Sequence, residues 1–166
     1  NNHIFTLYCD RKGRMWIGTF GGGLDLAIKE DDGYTFRHFF TKTFGQRRTR
    51  AIIEDSNGWI WVGNSDGVYV FSPDSLQTDP QNYLTYNYNN GKLRSNEIKC
   101  IYQDTRGRIW IGSSGGGLSM CIPGTDYRNL TFRHYGTSNG LVNDMVQAIA
   151  EDKPVSYTHL TLRRSY

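Results

Sequence analysis

Apolar and polar residues alternate along this chain in short runs, as in MWIG at 15–18, IWVG at 60–63 and IWIG at 109–112. A period of two bounded by glycine predicts half-buried β-strands, and no stretch holds an amphipathic helical period for long. The expectation is a series of short antiparallel strands with no helix longer than about two turns. The runs also recur. Segments 4–26, 51–71 and 98–120 are one unit written three times, with Asp10, Asp55 and Asp104 in one column and Gly13, Gly58 and Gly107 in the next. Trp16, Trp61 and Trp110 follow, then Gly18, Gly63 and Gly112, and every column steps by 45 and then 49 residues. A fourth copy opens at 145–152, placing Asp152 a further 48 residues on.

Each column has a physical reason. Asp followed three residues later by Gly suits a tight hairpin turn, in which the carboxylate bonds nearby backbone amides and Gly takes a positive φ. The preceding strand reads as the innermost of its blade. Leu7, Ile52, Ile101 and Ile149 align there, with the small residues Thr6, Ala51, Cys100 and Ala148 one place earlier, where neighbouring blades would converge. A Trp repeated once per blade reads as packing between sheets, whereas a ligand platform is expected in one blade only. FRHFF at 36–40, TYNY at 85–88 and FRHY at 132–135 supply an outer strand for each unit.

Four strands at this period predict an all-β chain, a β-propeller fragment of about three four-stranded antiparallel blades plus the first strand of a fourth. Blade cores are expected at 4–40, 50–88 and 97–135, with a partial one at 144–152. Intervening segments such as SPDSLQTDPQNY are polar and turn-rich, and are read as loops. Residues 153–166 break the repeat and read as an adapter-derived or out-of-frame tail outside the fold.

These motifs resemble the two-component regulator propeller repeat, through IIEDSNGWIWVGNSDGV, YQDTRGRIWIGSSGGGL and LYCDRKGRMWIGTFGGGL, with the lead-ins NNHI, SNEI and NDMV. Cys9 and Gln103 stand where Glu54 and Glu151 have the family acid, which argues against a catalytic carboxylate at that place. The resemblance implies an extracytoplasmic, periplasmic sensor region of a membrane histidine kinase of Bacteroidetes type, dimeric in the parent protein and binding an oligosaccharide between loops at one end. Its membrane attachment and kinase activity would lie elsewhere in the parent. Tyr83 and Tyr127 are the candidate exposed loop aromatics for sugar stacking.

Charge removes one class of partner. The formal excess of +3 sits in Lys153, Arg163 and Arg164, so residues 1–152 carry 16 basic and 16 acidic side chains and no nucleic-acid footprint. Arg47, Arg48 and Arg50 form one local cluster, read as a solvated approach to a strand in preference to an anion site.

No catalytic, cofactor or metal site is expected. Cys9, Cys100 and Cys121 lack metal or disulfide spacing, and Cys100 reads as a small buried residue. The glycine triplets lack the lysine of a phosphate loop. His38 and His134 occupy matching strands and read as repeat positions, and the Asn129-Leu130-Thr131 sequon is read as chance. An enzymatic alternative is a propeller hydrolase or lyase, but the sialidase Asp-box sets one residue between Asp and Gly, where Asp55 and Gly58 are separated by two. A protein-interaction scaffold is the other alternative.

Overall fold

The computed structural model describes residues 3–152; the expected tail at 153–166 lies outside the described residues. Strands β1 (Ile4–Cys9), β2 (Met15–Thr19), β3 (Leu24–Glu30) and β4 (Gly33–Phe39) form the first sheet, paired antiparallel in chain order. The second holds β5 (Ala51–Glu54), β6 (Ile60–Asn64), β7 (Gly67–Phe71) and β8 (Leu84–Tyr86). The third holds β9 (Ile98–Gln103), β10 (Ile109–Ser113), β11 (Leu118–Cys121) and β12 (Arg133–Tyr135). These are three consecutive blades of a β-propeller.

The period of two sorts each strand between two neighbours. One apolar layer lies between the first and second sheets, where Trp16, Leu24, Leu26 and Phe39 meet Ile52, Ile60, Val62 and Phe71. The next lies between the second and third, where Trp61, Val68 and Val70 meet Ile101, Ile109 and Ile111. Each such side chain contributes roughly 1.5–3 kcal/mol on burial. Equivalent residues show what a missing neighbour does: Leu7 is 55% exposed, whereas Ile52 and Ile101 are 5% and 7% exposed. Trp110 likewise is only half-buried, unlike Trp16 and Trp61, because the face it occupies looks toward the incomplete fourth repeat.

Close approach of the blades is set by the second glycine column. Against the next blade, a Cβ on Gly18 would lie 2.6 Å from Thr49 Cγ2, on Gly63 2.6 Å from Ile98 Cγ2 and on Gly112 2.8 Å from Val146 Cγ1. The strand of the next blade therefore rests on bare backbone.

A second link joins the blades at the Asp turns. The residue before each Asp reaches the turn of the preceding blade: Glu54 accepts from the Arg11 amide at 2.7 Å, Gln103 from the Ser56 amide at 2.7 Å and Glu151 from the Thr105 amide at 2.8 Å. An amide oxygen serves as well as a carboxylate, which explains why Gln103 is tolerated in that column.

Two local features differ from expectation. Pro73–Thr78 forms a short helix, α1, inside the segment read as loop. Proline in its first turn is pre-organised for helix, and Leu76 is fully buried from it. The fourth repeat joins the third sheet through an isolated Ser114–Met145 bridge and a Val146 amide bond to Ser113 in place of a full strand, and the Gly and Trp columns that would continue its hairpin do not follow Asp152 in the sequence.

Candidate functional site

The repeated Asp, Gly and Trp residues build a turn. In each blade one carboxylate oxygen accepts two backbone amides and the other accepts the indole N–H. Asp10 takes Lys12, Arg14 and Trp16, the last at 3.0 Å; Asp55 takes Asn57, Trp59 and Trp61, the last at 2.8 Å; Asp104 takes Arg106, Arg108 and Trp110, the last at 2.8 Å. Gly13, Gly58 and Gly107 close these turns with φ between 76° and 84°. Burial alone would raise the Asp10 and Asp104 carboxyls, but the indole, amide and arginine bonds outweigh it and hold both below the usual range. Both carboxylate oxygens and the indole N–H of each blade are engaged in holding the hairpin, which makes the cluster a structural element.

The two aromatic candidates line one cleft of about 150 Å³ between the second and third blades, together with Trp59 and Arg128. Typical small-molecule pockets are larger, about 300–1,000 Å³. Tyr127, expected as an exposed loop aromatic, is only 4% exposed: its ring stacks on Trp59 at 4.1 Å and its hydroxyl donates to Asp55. Burial and the Asp55 bond push its phenol well above the ordinary tyrosine range. Tyr83 is half-buried, edge-on to Phe40 at 5.0 Å, and packs against the core between the first two blades.

The histidines are cross-strand pairs. His38 contacts Asp25 at 2.7 Å and His134 contacts Ser119 at 2.8 Å, at the same register of blades one and three. Ser119 is buried, so the Ser119–His134 pair presents no accessible nucleophile. Among the described residues no three His, Cys, Asp or Glu side chains gather as a metal site.

What departs from the repeat lies at the lead-in end of the innermost strands. Register slips between Ile4 and Thr6 opposite Thr19 and Gly18, and again where Cys100 and Ile98 face Gly112 and Ser113, leaving Phe5 and Lys99 as the extra residues of two β-bulges. Arg50, whose amide bonds Gly63, holds the same column in blade two. Bulges re-aim side chains out of the alternating pattern. Across three blades the result is a continuous row: the Arg50 guanidinium lies 5.9 Å from the Phe5 ring and 3.8 Å from Glu97, which meets Lys99 at 3.1 Å.

Beside the row stands Phe20, on the turn after β2, where the other blades have Ser65 and Ser114. Its amide bonds the His3 carbonyl at 3.0 Å, and it forms a bridge with Arg48. The Arg48 guanidinium sits 5.3 Å from the Phe20 ring and 6.0 Å from Phe5. Sequence reasoning missed this group because the slips fall at the first residues of β1 and β9, ahead of the alternating run; the signal that could have found it is that Phe5 and Phe20 occur in one blade only.

A family model described as "Two component regulator propeller" matches residues 1–21, 44–66 and 92–115. These three segments, one in each blade, are two-component regulator propeller repeats. Among solved structures it is similar to the extracellular domain of a protein assigned to a hybrid two-component system of B. thetaiotaomicron, at 26% identity and a TM-score of 0.69, over 87% of this chain and 18% of that one. The same fold occurs in a second such domain from B. thetaiotaomicron, at 21% identity and a TM-score of 0.72, over 92% of this chain and 21% of that one. It occurs again in PorZ, a surface component of the type-IX secretion system of Porphyromonas gingivalis, at 18% identity and a TM-score of 0.53, over 79% of this chain and 19% of that one. The propeller repeats here thus span about a fifth of the length of each. No curated protein matches the chain.

Proposed function

We propose that these repeats are a non-catalytic segment of the ligand-sensing propeller in the extracytoplasmic region of a two-component sensor, and that the ligand is a glycan. The observation that carries the reading is the group at the lead-in end, where exposed Phe5 and half-buried Phe20 stand beside two arginines in one blade-specific departure from the repeat. Exposed rings with convergent polar donors are the chemistry of sugar recognition. Similarity to an extracellular domain of a hybrid two-component system supports the location and the sensing role. A ligand shifts a sensor only by binding one of its states more tightly, so the parent is read as a dimer whose arrangement the sugar selects. Calorimetry of the intact parent receptor against a panel of oligosaccharides tests this: saturable binding of at least one sugar without turnover is expected. Turnover of the sugar would establish the hydrolase or lyase reading instead, and the absence of all sugar binding would leave an interaction scaffold.

A further inference from the structure

Subtracting the repeat isolates a charge imbalance that the overall composition hides. Residues 1–152 are balanced in formal charge, yet along the bulge row Arg50 and Lys99 share a single carboxylate, Glu97. The Nε of Arg50 is buried without a hydrogen-bond partner, and the carboxylate nearest it is Glu97 at 3.8 Å, with the Phe5 ring 5.9 Å from the guanidinium. Arg48 has no carboxylate within 4 Å among the described residues and is held instead over two rings. A guanidinium fixed over aromatic faces keeps its N–H fork for an incoming oxyanion. Arg47, by contrast, is occupied by the Thr43 and Phe44 carbonyls and Asp66. The arginine cluster therefore divides into one structural member and two under-compensated ones.

We propose that Phe5, Phe20, Arg48 and Arg50 form a subsite for a negatively charged sugar residue, a hexose ring bearing a carboxylate or a sulfate. The ring's apolar face packs on the exposed Phe5 ring, Phe20 holds Arg48 beside it, and the oxyanion takes N–H groups of Arg48 and Arg50. A neutral sugar would leave the two guanidinium groups unmatched, and a free anion would make no contact with the exposed face of Phe5, so the site selects the combination. This rests on the sensing reading above and narrows its ligand class.

The test uses the intact parent protein and variants that borrow residues from other blades at the same column, so that the blade fold is kept: Arg48→Met, as at Met145, and Phe20→Ser, as at Ser114. Oligogalacturonate, a sulfated disaccharide, a neutral glucose oligomer and inorganic sulfate are titrated by calorimetry at two salt concentrations. One of the two acidic sugars should bind most tightly and weaken with salt, losing about tenfold or more in Arg48→Met and in Phe20→Ser, the scale of one charge-assisted contact. Which of the two it is identifies the oxyanion. Preference for the neutral oligomer, unchanged affinity in both variants, or sulfate binding as tightly as either sugar would overturn the subsite while leaving glycan sensing intact. Binding of none of the sugars would overturn both.

Discussion

The hydroxyl of Tyr127, from the third blade, donates a 2.7 Å hydrogen bond to the carboxylate of Asp55 in the second. Asp10 and Asp104 receive their corresponding bond from Arg14 and Arg108, four residues downstream, where the second blade has Trp59. The tyrosine thus replaces a missing arginine and stacks on the residue that displaced it. Tyr127→Phe keeps the stack and removes the bond, so it should cost about 1.5–3 kcal/mol, the range for a hydrogen bond to a charged group. Urea unfolding of the parent protein measures it; a change below about 0.5 kcal/mol, typical of surface substitutions, would show that Asp55 does not need a fourth donor.

Trp61→Phe and Trp110→Phe remove the same indole bond from two blades. Trp61 is fully buried between sheets and Trp110 half-buried. The first should lose about 2–4 kcal/mol, combining a lost bond to a carboxylate with a partly filled cavity. The second should lose less, provided the segment is studied as residues 1–152; thermal melts of the paired variants decide it, and equal losses would refute the role assigned to the neighbouring blade.

A parallel comparison uses the innermost strand. Ile52→Ala should destabilise by about 2–4 kcal/mol as a core truncation, whereas Leu7→Ala in the same segment should fall within about 0.5–1 kcal/mol because Leu7 is already exposed. Chemical denaturation of the two variants gives the difference directly.

Stability should fall in acid. The Asp10 and Asp104 carboxyls are held below their unfolded value, so their contribution is fully present above that value, near pH 4, and is lost as pH drops through the lower folded one. Tryptophan fluorescence followed from pH 7 downward should stay constant to about pH 4 and then change. Asp104→Asn should lower stability at neutral pH and weaken the pH dependence below it; an unchanged acid profile would count against the carboxylate turn as its source.

The three cysteines should separate by reactivity. Cys9 is exposed, whereas Cys121 is buried with its thiol pushed up to about 12, mainly by burial and further by Asp55. Iodoacetamide at pH 8 should alkylate Cys9 within minutes and leave Cys121 unmodified until denaturant is added. Cys100, half-buried with a raised pKa, should react slowly. Peptide mass spectrometry reads all three.

Blade number, strand order and the Asp–Trp turn were legible because each is written locally and three times over. Tyr127 was not, since its burial depends on a contact 72 residues away in sequence with Asp55, and nothing near Tyr127 announces that Trp59 has left a carboxylate short of a donor. The helix at Pro73–Thr78 was obscured for a different reason: its only fully buried aliphatic side chain, Leu76, leaves no amphipathic period in six residues. The arginine cluster was visible as composition, but its division into engaged and under-compensated members required the rings of Phe5 and Phe20.

The column of Phe5, Arg50 and Lys99, bulged out of the strand in the first and third blades, gives the molecule a place where diversification is uncoupled from architecture. Isoleucine, glycine, tryptophan and aspartate columns are tied to packing, so a change there is felt by two blades at once. A residue in this column takes no part in the apolar layers, and phenylalanine, arginine and lysine have each been accepted there under an unchanged blade. Chemical taste at this end of the propeller can therefore be rewritten one blade at a time, with specificity drifting while the scaffold stands still.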